Sequence, residues 1–201
     1  MDMIPENNYV RLCGVVAGRP AYSHTSRGQD FFTFPLEVQR LSGNCDTLNI
    51  VLRREQLELL EEQGAEKLMV TGQLRTFNNR RGEGAKLLIT VLAKELYFCC
   101  EEDENTVLLR GTLCKAPNQR ITPMGRDICD LMLAVNRRFG RSDYLPVICW
   151  GAKAKQAALW GVGQTVHLKG RIQSRAYIKM TEEGAVEKTA YEVSAADIDP
   201  E

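Results

Sequence analysis

The sequence predicts an all-β chain with one short helix per domain, built as two small barrels in tandem. Three observations predict this architecture. The chain repeats itself at an offset of 97 residues, its predicted strands alternate apolar and polar residues, and each repeat holds one helical segment at the same place. A repeat of this length is too long for a solenoid unit and fits a small domain.

The repeat is visible as the same residue at matched positions. The offset pairs Asn8 with Asn105, Gly14 with Gly111, Pro20 with Pro117, Gly28 with Gly125, Leu36 with Leu133 and Arg40 with Arg137. A one-residue adjustment also brings Gly72 onto Gly170. This duplication predicts a first domain at residues 1–100 and a second at residues 106–201. The short acidic segment 101–105 is predicted to link them.

Each repeat is predicted to contain five strands, with a helix between the third and the fourth. The first three strands are expected at residues 9–16, 32–40 and 47–52 and, in the second repeat, at 106–113, 128–137 and 144–150. The helices are expected at residues 54–63 and 152–160, each followed by a glycine that ends it. This is the element order of the oligonucleotide-binding (OB) fold, so we expect two tandem OB-fold five-stranded β-barrels.

The strand predicted over residues 166–177 has two faces of opposite character. One face holds Val166, Leu168, Gly170 and Ile172, and the other holds His167, Lys169, Arg171, Gln173, Arg175 and Tyr177. Cations contact a phosphate backbone, and aromatic rings stack on unpaired bases. The second face is therefore typical of proteins that bind single-stranded nucleic acid.

A second aromatic surface is predicted on the strand over residues 144–150. Tyr144 and Trp150 share one parity and the opposite parity is wholly apolar, so both rings are expected to point out of the barrel. Phe139 has the parity of the core residues in the preceding strand, which leaves core packing open for it. Trp160, on the predicted helix, is expected in the core.

Charge is distributed unevenly, although the chain as a whole has a formal net charge of zero. Residues 106–180 hold thirteen Lys or Arg against three acids, a net charge of +10. The first domain is acidic on and after its helix, at Glu55, Glu58, Glu61, Glu62 and Glu66. A basic surface on one domain suits phosphate contact, because charges more than roughly 8 Å apart are largely screened at physiological salt.

The second domain closely resembles the bacterial single-stranded DNA-binding protein family. The matching motifs are Asn105-x-Val-x-Leu-x-Gly111, Thr122-Pro123-x-Gly125, Leu133-Ala134-Val135-Asn136-Arg137-Arg138-Phe139, Asp143-Tyr144-Leu145-Pro146-Val147, Trp150-Gly151 and Gly170-Arg171-Ile172-Gln173-Ser174-Arg175-x-Tyr177. The first domain is similar more loosely, through residues 8–14, 36–40 and 72–76. The resemblance implies a barrel that coats single-stranded DNA in replication, recombination or repair, usually with four barrels assembled together. With two barrels per chain, this predicts a homodimer.

The resemblance and the cation pattern place the binding residues mainly on the second barrel. The candidate DNA-binding residues are Phe139, Tyr144, Trp150, Tyr177, Arg137, Arg138, Lys169, Arg171, Arg175 and Lys179. A weaker set is expected on the first barrel: Arg40, Arg75, Phe77, Arg80 and Arg81. The first barrel otherwise has a degenerate binding surface, because Ser42 and Asn79 replace Phe139 and Tyr177. Its acidic helix and apolar Met69 indicate a partner-facing or oligomer-forming role.

Other functions compete with this one. Catalysis is disfavoured, because the only histidines are His24 and His167 and no carboxylate pair or Cys/His arrangement has a recognisable spacing. No cofactor or metal is expected, and the vicinal Cys99-Cys100 fits a strand end better than a metal or redox site. Residues 111–117 also resemble primosomal replication protein N, so a replication-restart accessory protein that acts through protein contacts is the alternative. RNA binding stays open as well, because stacking does not distinguish sugars.

The remaining features predict a bacterial, cytoplasmic and nucleoid-associated protein. Seven cysteines form an odd set without paired CxxC spacing, which suits a reducing compartment. No stretch is long and apolar enough to span a membrane. The family usually continues into a flexible tail, ending in acids and a phenylalanine, that recruits replication and repair proteins. This sequence ends at Asp199-Pro200-Glu201, which puts recruitment by that route in doubt, although such partners stay an expectation.

Overall fold

The computed structural model describes residues 7–63, 67–78, 87–181 and 184–201, and most of these residues lie in β-strands. Contacts between Cα atoms divide them into two compact units. One unit comprises residues 9–75 and 89–106, and the other comprises residues 107–201 with the short segments 7–8, 76–78 and 87–88. We call them the first and the second barrel.

In the described residues, the first barrel has six strands and one helix. In chain order they are β1 (Asn8–Val16), β2 (Ala21–Ser26), β3 (Gln29–Gln39), β4 (Cys45–Arg53), α1 (Arg54–Gln63), β5 (Lys67–Asn78) and β6 (Leu87–Phe98). Neighbouring strands follow the order β2-β3-β4-β6-β5-β1. A further antiparallel pairing between β1 and β3 closes the barrel.

The second barrel repeats this arrangement. Its elements are β7 (Glu104–Leu113), β8 (Asn118–Ile121), β9 (Asp127–Asn136), a 3₁₀ turn (Arg138–Gly140), β10 (Ser142–Trp150), α2 (Gly151–Ala157), β11 (Thr165–Thr181) and β12 (Gly184–Pro200). The strand order is β7-β11-β12-β10-β9-β8, and a pairing between β7 and β9 closes the barrel. Both units therefore have the predicted OB fold.

Within the described ranges, each barrel has one strand more than the five that the sequence predicts. The additional strands are β2 and β8, and every residue in both is exposed. A strand with no buried side has no apolar alternation, which is why periodicity did not reveal either one.

The cores confirm the predicted alternation and the repeat. In β11, Val166, Leu168 and Ile172 are buried, whereas Lys169 and Arg171 between them are exposed. The two repeats also match where the backbones of two strands approach each other closely. A Cβ atom at Gly72 would collide with the carbonyl oxygen of Leu92, and one at Gly170 would collide with the carbonyl oxygen of Ser194.

Segment 101–105 differs from the predicted linker. The Asp103 carboxylate lies 2.8 Å from Lys67 Nζ and accepts a hydrogen bond of 2.6 Å from the backbone N–H of Gln39. Arg11 forms an ion pair of 2.9 Å with Glu104, the first residue of β7. These contacts hold the segment against the first barrel, so residues up to 106 group with that unit.

Two other expectations need correction. Helix α2 ends at Ala157 and is followed by a turn, so Trp160 lies beyond the helix and is half-buried, not in the core. Met69 was expected on the exposed face of its strand, but it is buried. The residues on either side of it, Leu68 and Val70, are buried too, so the start of β5 is covered on both faces and Met69 is not available to a partner.

Candidate nucleic-acid interface

Two aromatic rings on β10 face outward, as their parity predicts. Tyr144 is 51% exposed and Trp150 is 38% exposed, whereas Leu145, Val147 and Cys149 on the opposite face are buried. The Trp150 indole is fixed at its polar edge, because Nε1 donates a hydrogen bond of 3.2 Å to Ser194 Oγ on β12. The ring is therefore both accessible and oriented.

Strand register places Trp150 on the same face of the sheet as the cations of β11, with β12 between the two strands. β10 pairs with β12 so that Ile148 lies opposite Ser194, and β12 pairs with β11 so that Ser194 lies opposite Arg171. Residues directly opposite each other in a pair point to the same face. Trp150, Ser194 and Arg171 thus share one surface, which we call the β10–β11 face.

The row along β11 continues this face. Lys169, Arg171 and Arg175 are exposed and Tyr177 is half-buried. Alternate residues of a strand lie roughly 6.6 Å apart, so the row presents a cation or polar group at each step. Gln173, in the middle of the row, is almost buried and donates a hydrogen bond of 2.9 Å to the Glu192 carboxylate on β12. The Lys179 side chain lies outside the described residues.

Ion pairing separates the cations of the second barrel into two groups. Five are paired with carboxylates: Arg110 with Glu201, Arg120 with Asp130, Arg137 with Asp143, Lys153 with Asp197 and Asp199, and Lys155 with Asp127. In the part of the chain that the structure describes, no carboxylate pairs with Arg138, Lys169, Arg171 or Arg175. Positive charge is left unneutralised on the β10–β11 face.

Acids that follow residue 180 also correct the charge count made from residues 106–180. Lys153 donates a hydrogen bond to the Asp197 carboxyl and lowers its pKa, and Arg110 does the same for Glu201. Both carboxylates lie beyond residue 180 in the chain but on the same barrel. The net +10 therefore overstates the free charge, and what distinguishes the interface is where the unpaired cations lie.

The Arg137 side chain forms an ion pair with a buried carboxylate of the same barrel. Its Nη2 lies 2.8 Å from Oδ1 of Asp143, which is fully buried. The same carboxylate oxygen accepts a hydrogen bond of 2.7 Å from the backbone N–H of Thr76, and Thr76 Oγ1 accepts one of 3.0 Å from the backbone N–H of Tyr144. This network fixes the start of β10, including the backbone of Tyr144.

Phe139 lies outside the core. β9 ends at Asn136, so the parity of the strand does not reach Phe139, which sits in the 3₁₀ turn and is 83% exposed. Its φ of +64° is a left-handed conformation that a residue with a side chain rarely adopts. Arg138, in the same turn, is exposed too, so the turn presents an aromatic and a cation together.

Two of the five residues in the weaker set on the first barrel, Arg40 and Arg75, contact other groups of the protein. Arg40 Nε donates a hydrogen bond of 2.7 Å to fully buried Asp46, the counterpart of the Arg137–Asp143 pair. Arg75 is half-buried and donates to the Leu74 carbonyl oxygen and to the Gln73 side chain. Phe77 is exposed at the end of β5. Arg80 and Arg81 lie outside the described residues.

Sequence reasoning missed the contribution of β12. Ser194 orients Trp150, and Glu192 places a carboxylate beside the cationic row. Neither residue belongs to a motif that marks it, because its role depends on which residues of β10 and β11 lie opposite. Only the strand register supplies that information.

The described residues show neither a metal cluster nor a membrane-spanning helix. In residues 7–63, 67–78, 87–181 and 184–201, no group of three or more His, Cys, Asp or Glu side chains is placed to hold a metal ion. No helix in those ranges is long and apolar enough to cross a membrane.

The topology is that of the OB fold, a class whose barrels bind oligonucleotides. The model of the single-strand binding protein family matches residues 104–200. Single-stranded DNA-binding protein B of Bacillus subtilis is 38% identical over 80 residues, which cover 36% of this chain and 71% of that protein. Single-stranded DNA-binding protein 2 of Listeria innocua is 36% identical over 80 residues, covering 36% of this chain and 50% of that protein. The chain belongs to the single-strand binding protein family.

Solved structures extend the likeness in fold to both barrels. The wild-type single-stranded DNA-binding protein of Thermus aquaticus superposes with a TM-score of 0.76 at 23% identity, covering 96% of this chain and 92% of that one. A deletion mutant of the same protein gives a TM-score of 0.74, with 96% and 94% covered. The family model begins at residue 104, so the first barrel is recognised by its fold.

Proposed function

We propose that this protein binds single-stranded DNA without sequence preference and protects it during replication, recombination or repair. The observation that carries the proposal is the β10–β11 face, where an exposed and oriented Trp150 shares one surface with unneutralised cations. Bases stack on the rings, and phosphates contact the cations. Phe139, Tyr144, Trp150 and Tyr177 are the proposed stacking residues. The proposed phosphate contacts are Arg138, Lys169, Arg171, Arg175 and Lys179. Arg137 contributes indirectly, because its ion pair with Asp143 fixes the start of β10.

Fluorescence titration tests this function directly. Trp160→Phe leaves Trp150 as the only tryptophan, so quenching on addition of oligo-dT reports on that ring. Trp150→Ala should weaken binding by roughly 1–3 kcal/mol, the range for loss of one stacked base. Affinity should fall steeply with salt, because each phosphate contact on a single strand contributes about −0.7 to the log–log slope.

Duplex DNA and RNA are the comparison ligands in the same titration. Weak binding to duplex supports the proposal, and tight, salt-insensitive binding to duplex contradicts it. Unchanged affinity in Trp150→Ala, with a lowered thermal unfolding midpoint, would place that ring in a structural role instead. RNA bound as tightly as DNA would move the protein to the RNA-binding alternative.

The replication-restart alternative is less well supported. The relatives that match the second barrel are named for binding single-stranded DNA, and the aromatic surface suits direct DNA contact. A restart accessory protein that acts through protein contacts would not need four aromatic side chains on one barrel. Replication and repair proteins stay proposed partners of the DNA-bound form.

The division of labour between the barrels belongs to the same proposal. Residues 105–201 carry most of the DNA affinity, and residues 1–100 contribute mainly to assembly or partner contact. Two chains form a homodimer that presents four barrels. The protein is non-catalytic and acts on DNA in the bacterial cytoplasm.

A further inference from the structure

The β2–β3 hairpin of the first barrel carries a stacked aromatic pair that no sequence motif marks. The rings of His24 and Phe31 have centroids 4.9 Å apart and are nearly parallel, at 8°. His24 is exposed and Phe31 is half-buried. The stacked pair is therefore at least partly open to solvent.

A β-bulge produces this pairing. Tyr22 lies opposite Phe32 and His24 lies opposite Phe31, so Ser23 is an extra residue in β2. The bulge turns Tyr22 and His24 to opposite faces of the hairpin, although residues two apart normally share a face. Tyr22 meets Phe32 edge to face at 6.0 Å on the other side. Bulges that redirect a side chain are frequent beside functional sites.

A cation, Arg53, lies on the same face as the His24–Phe31 pair. On β4, Arg53 lies directly opposite Phe31, and it is exposed. Residues opposite each other share a face, so His24, Phe31 and Arg53 form one line across three strands. Within the described ranges no carboxylate pairs with the Arg53 guanidinium.

The 97-residue repeat shows which residues of the second barrel occupy the positions of Arg53 and Phe31. At the 97-residue offset Arg53 matches Trp150, and Phe31 matches Ile128, which lies opposite Trp150 in the second barrel. Ile128 is buried, whereas Phe31 is accessible. In sequence the first barrel loses the Trp150 ring. In the structure, Arg53 takes the position of the tryptophan on β4, and the aromatic residue Phe31 lies directly opposite it on the neighbouring strand β3.

We propose that His24, Phe31 and Arg53 form a nucleobase-binding site on the first barrel. A base of single-stranded DNA stacks on the His24 ring, whose other side is backed by Phe31, and Arg53 contacts the adjoining phosphate. The site rests on the proposed function and deepens it, because it gives the first barrel its own stacking contact with the strand.

Affinity measurements with poly-dT test the site. His24→Ala and Phe31→Leu should each weaken binding about 5-fold or more, as expected for loss of stacking with one base. Leucine keeps apolar bulk at position 31, and His24 is exposed, so neither change should disturb folding. Tyr22→Ala is the matched control, because it removes an exposed ring of the same hairpin from the opposite face, and it should leave affinity unchanged.

Photocrosslinking of poly-dT, followed by peptide mapping, gives a second readout. Adducts on the peptide that holds His24 and Phe31 are expected. Unchanged affinity in His24→Ala and Phe31→Leu, while Trp150→Ala still weakens binding, would overturn this site and leave the proposed function standing. An equal loss in Tyr22→Ala would also overturn it. Absence of binding by the wild-type protein would instead refute the proposed function.

Discussion

Trp150 illustrates how one hydrogen bond can prepare a stacking surface. An exposed indole on a strand samples several rotamers, and restricting them costs free energy on binding. The bond from Nε1 to Ser194 Oγ, at 3.2 Å, selects one orientation before DNA arrives. Arg171 lies opposite the same serine, so the oriented ring and the guanidinium share one face of the sheet, with β12 between them.

Ser194→Ala should therefore weaken DNA binding, because the Trp150 ring remains present but loses its fixed orientation. We expect a loss of about 0.5–1.5 kcal/mol, the usual net value of one hydrogen bond, which is less than the loss in Trp150→Ala. Ser194→Thr keeps the hydroxyl and should restore most of the affinity. An equal loss in the Thr and Ala variants would show that the hydroxyl does not position the ring.

The thiols differ sharply in their environment, and this predicts their reactivity. Burial raises the pKa of the Cys13 thiol and of the Cys149 thiol to about 12 in each case. At pH 8 about one such thiol in ten thousand is the reactive thiolate. Cys45 and Cys100 are exposed.

Native protein treated with iodoacetamide at pH 8 should be alkylated at Cys45 and Cys100, with Cys13 and Cys149 protected. Raising the pH to 9 should increase the thiolate fraction of the protected pair tenfold and still leave them slow. Because their folded pKa lies above the unfolded value of about 9, these thiols also lower the free energy of unfolding once the pH exceeds 9. Early alkylation of Cys13 or Cys149, detected by peptide mass mapping, would contradict this assignment.

At the scale of elements, strand β11 presents a row of cations, Lys169, Arg171 and Arg175, that no carboxylate pairs with in the described residues. Lys153 on α2 and Arg110 on β7 each meet a carboxylate, whereas Arg171 and Arg175 on β11 meet none in the described residues. A phosphate contact needs a cation that is not already neutralised. The strand, more than the net charge, thus defines where DNA is expected to run.

A pair of double variants separates these two groups at equal charge change. Arg171→Gln with Arg175→Gln should weaken oligo-dT binding strongly and reduce the log–log salt slope by about 1.4, or 0.7 for each phosphate that the variant no longer neutralises. Arg110→Gln with Lys155→Gln removes two cations already held in ion pairs and should change both quantities little. The same slope change in both variants would mean that overall charge, not the β11 row, determines binding.

The elements also show what could be predicted from sequence. Alternation located β10 and β11 and the outward direction of Tyr144 and Trp150, because one side of each strand is buried. Phe139 could not be placed, since its parity holds only while the strand continues. Strand β2 was missed because neither of its sides is buried, and the His24–Phe31 pair was missed with it. Register, which no local pattern encodes, was needed to bring Ser194 to Trp150.

At the scale of the molecule, the two barrels share a scaffold and differ in their surfaces. Both retain a buried Asp paired with an Arg at the same point of the fold, Arg40 with Asp46 and Arg137 with Asp143. Both retain a glycine where two strands approach closely. The outer faces have diverged, because Arg53 of the first barrel stands where the second barrel has Trp150.

The long β11–β12 hairpin of the second barrel offers the proposed dimer a contact in addition to those that the first barrel contributes. Beyond residue 174, β11 pairs with β12 alone in the described residues, so the two strands form a two-stranded arm. A two-stranded ribbon is marginally stable on its own. This arm exposes Ile178 and Met180, apolar side chains that a second copy of the chain would cover.

Light scattering should therefore give a mass about twice the 22.6 kDa of one chain. Ile178→Glu with Met180→Glu should lower it towards one chain, because four carboxylates would have to be buried across a two-fold interface. Leu159→Glu with Val162→Glu, which alters two exposed apolar residues outside the arm, should leave the dimer intact. A monomeric wild-type protein across micromolar concentrations would refute the four-barrel assembly, and dissociation by the control pair would place the interface elsewhere.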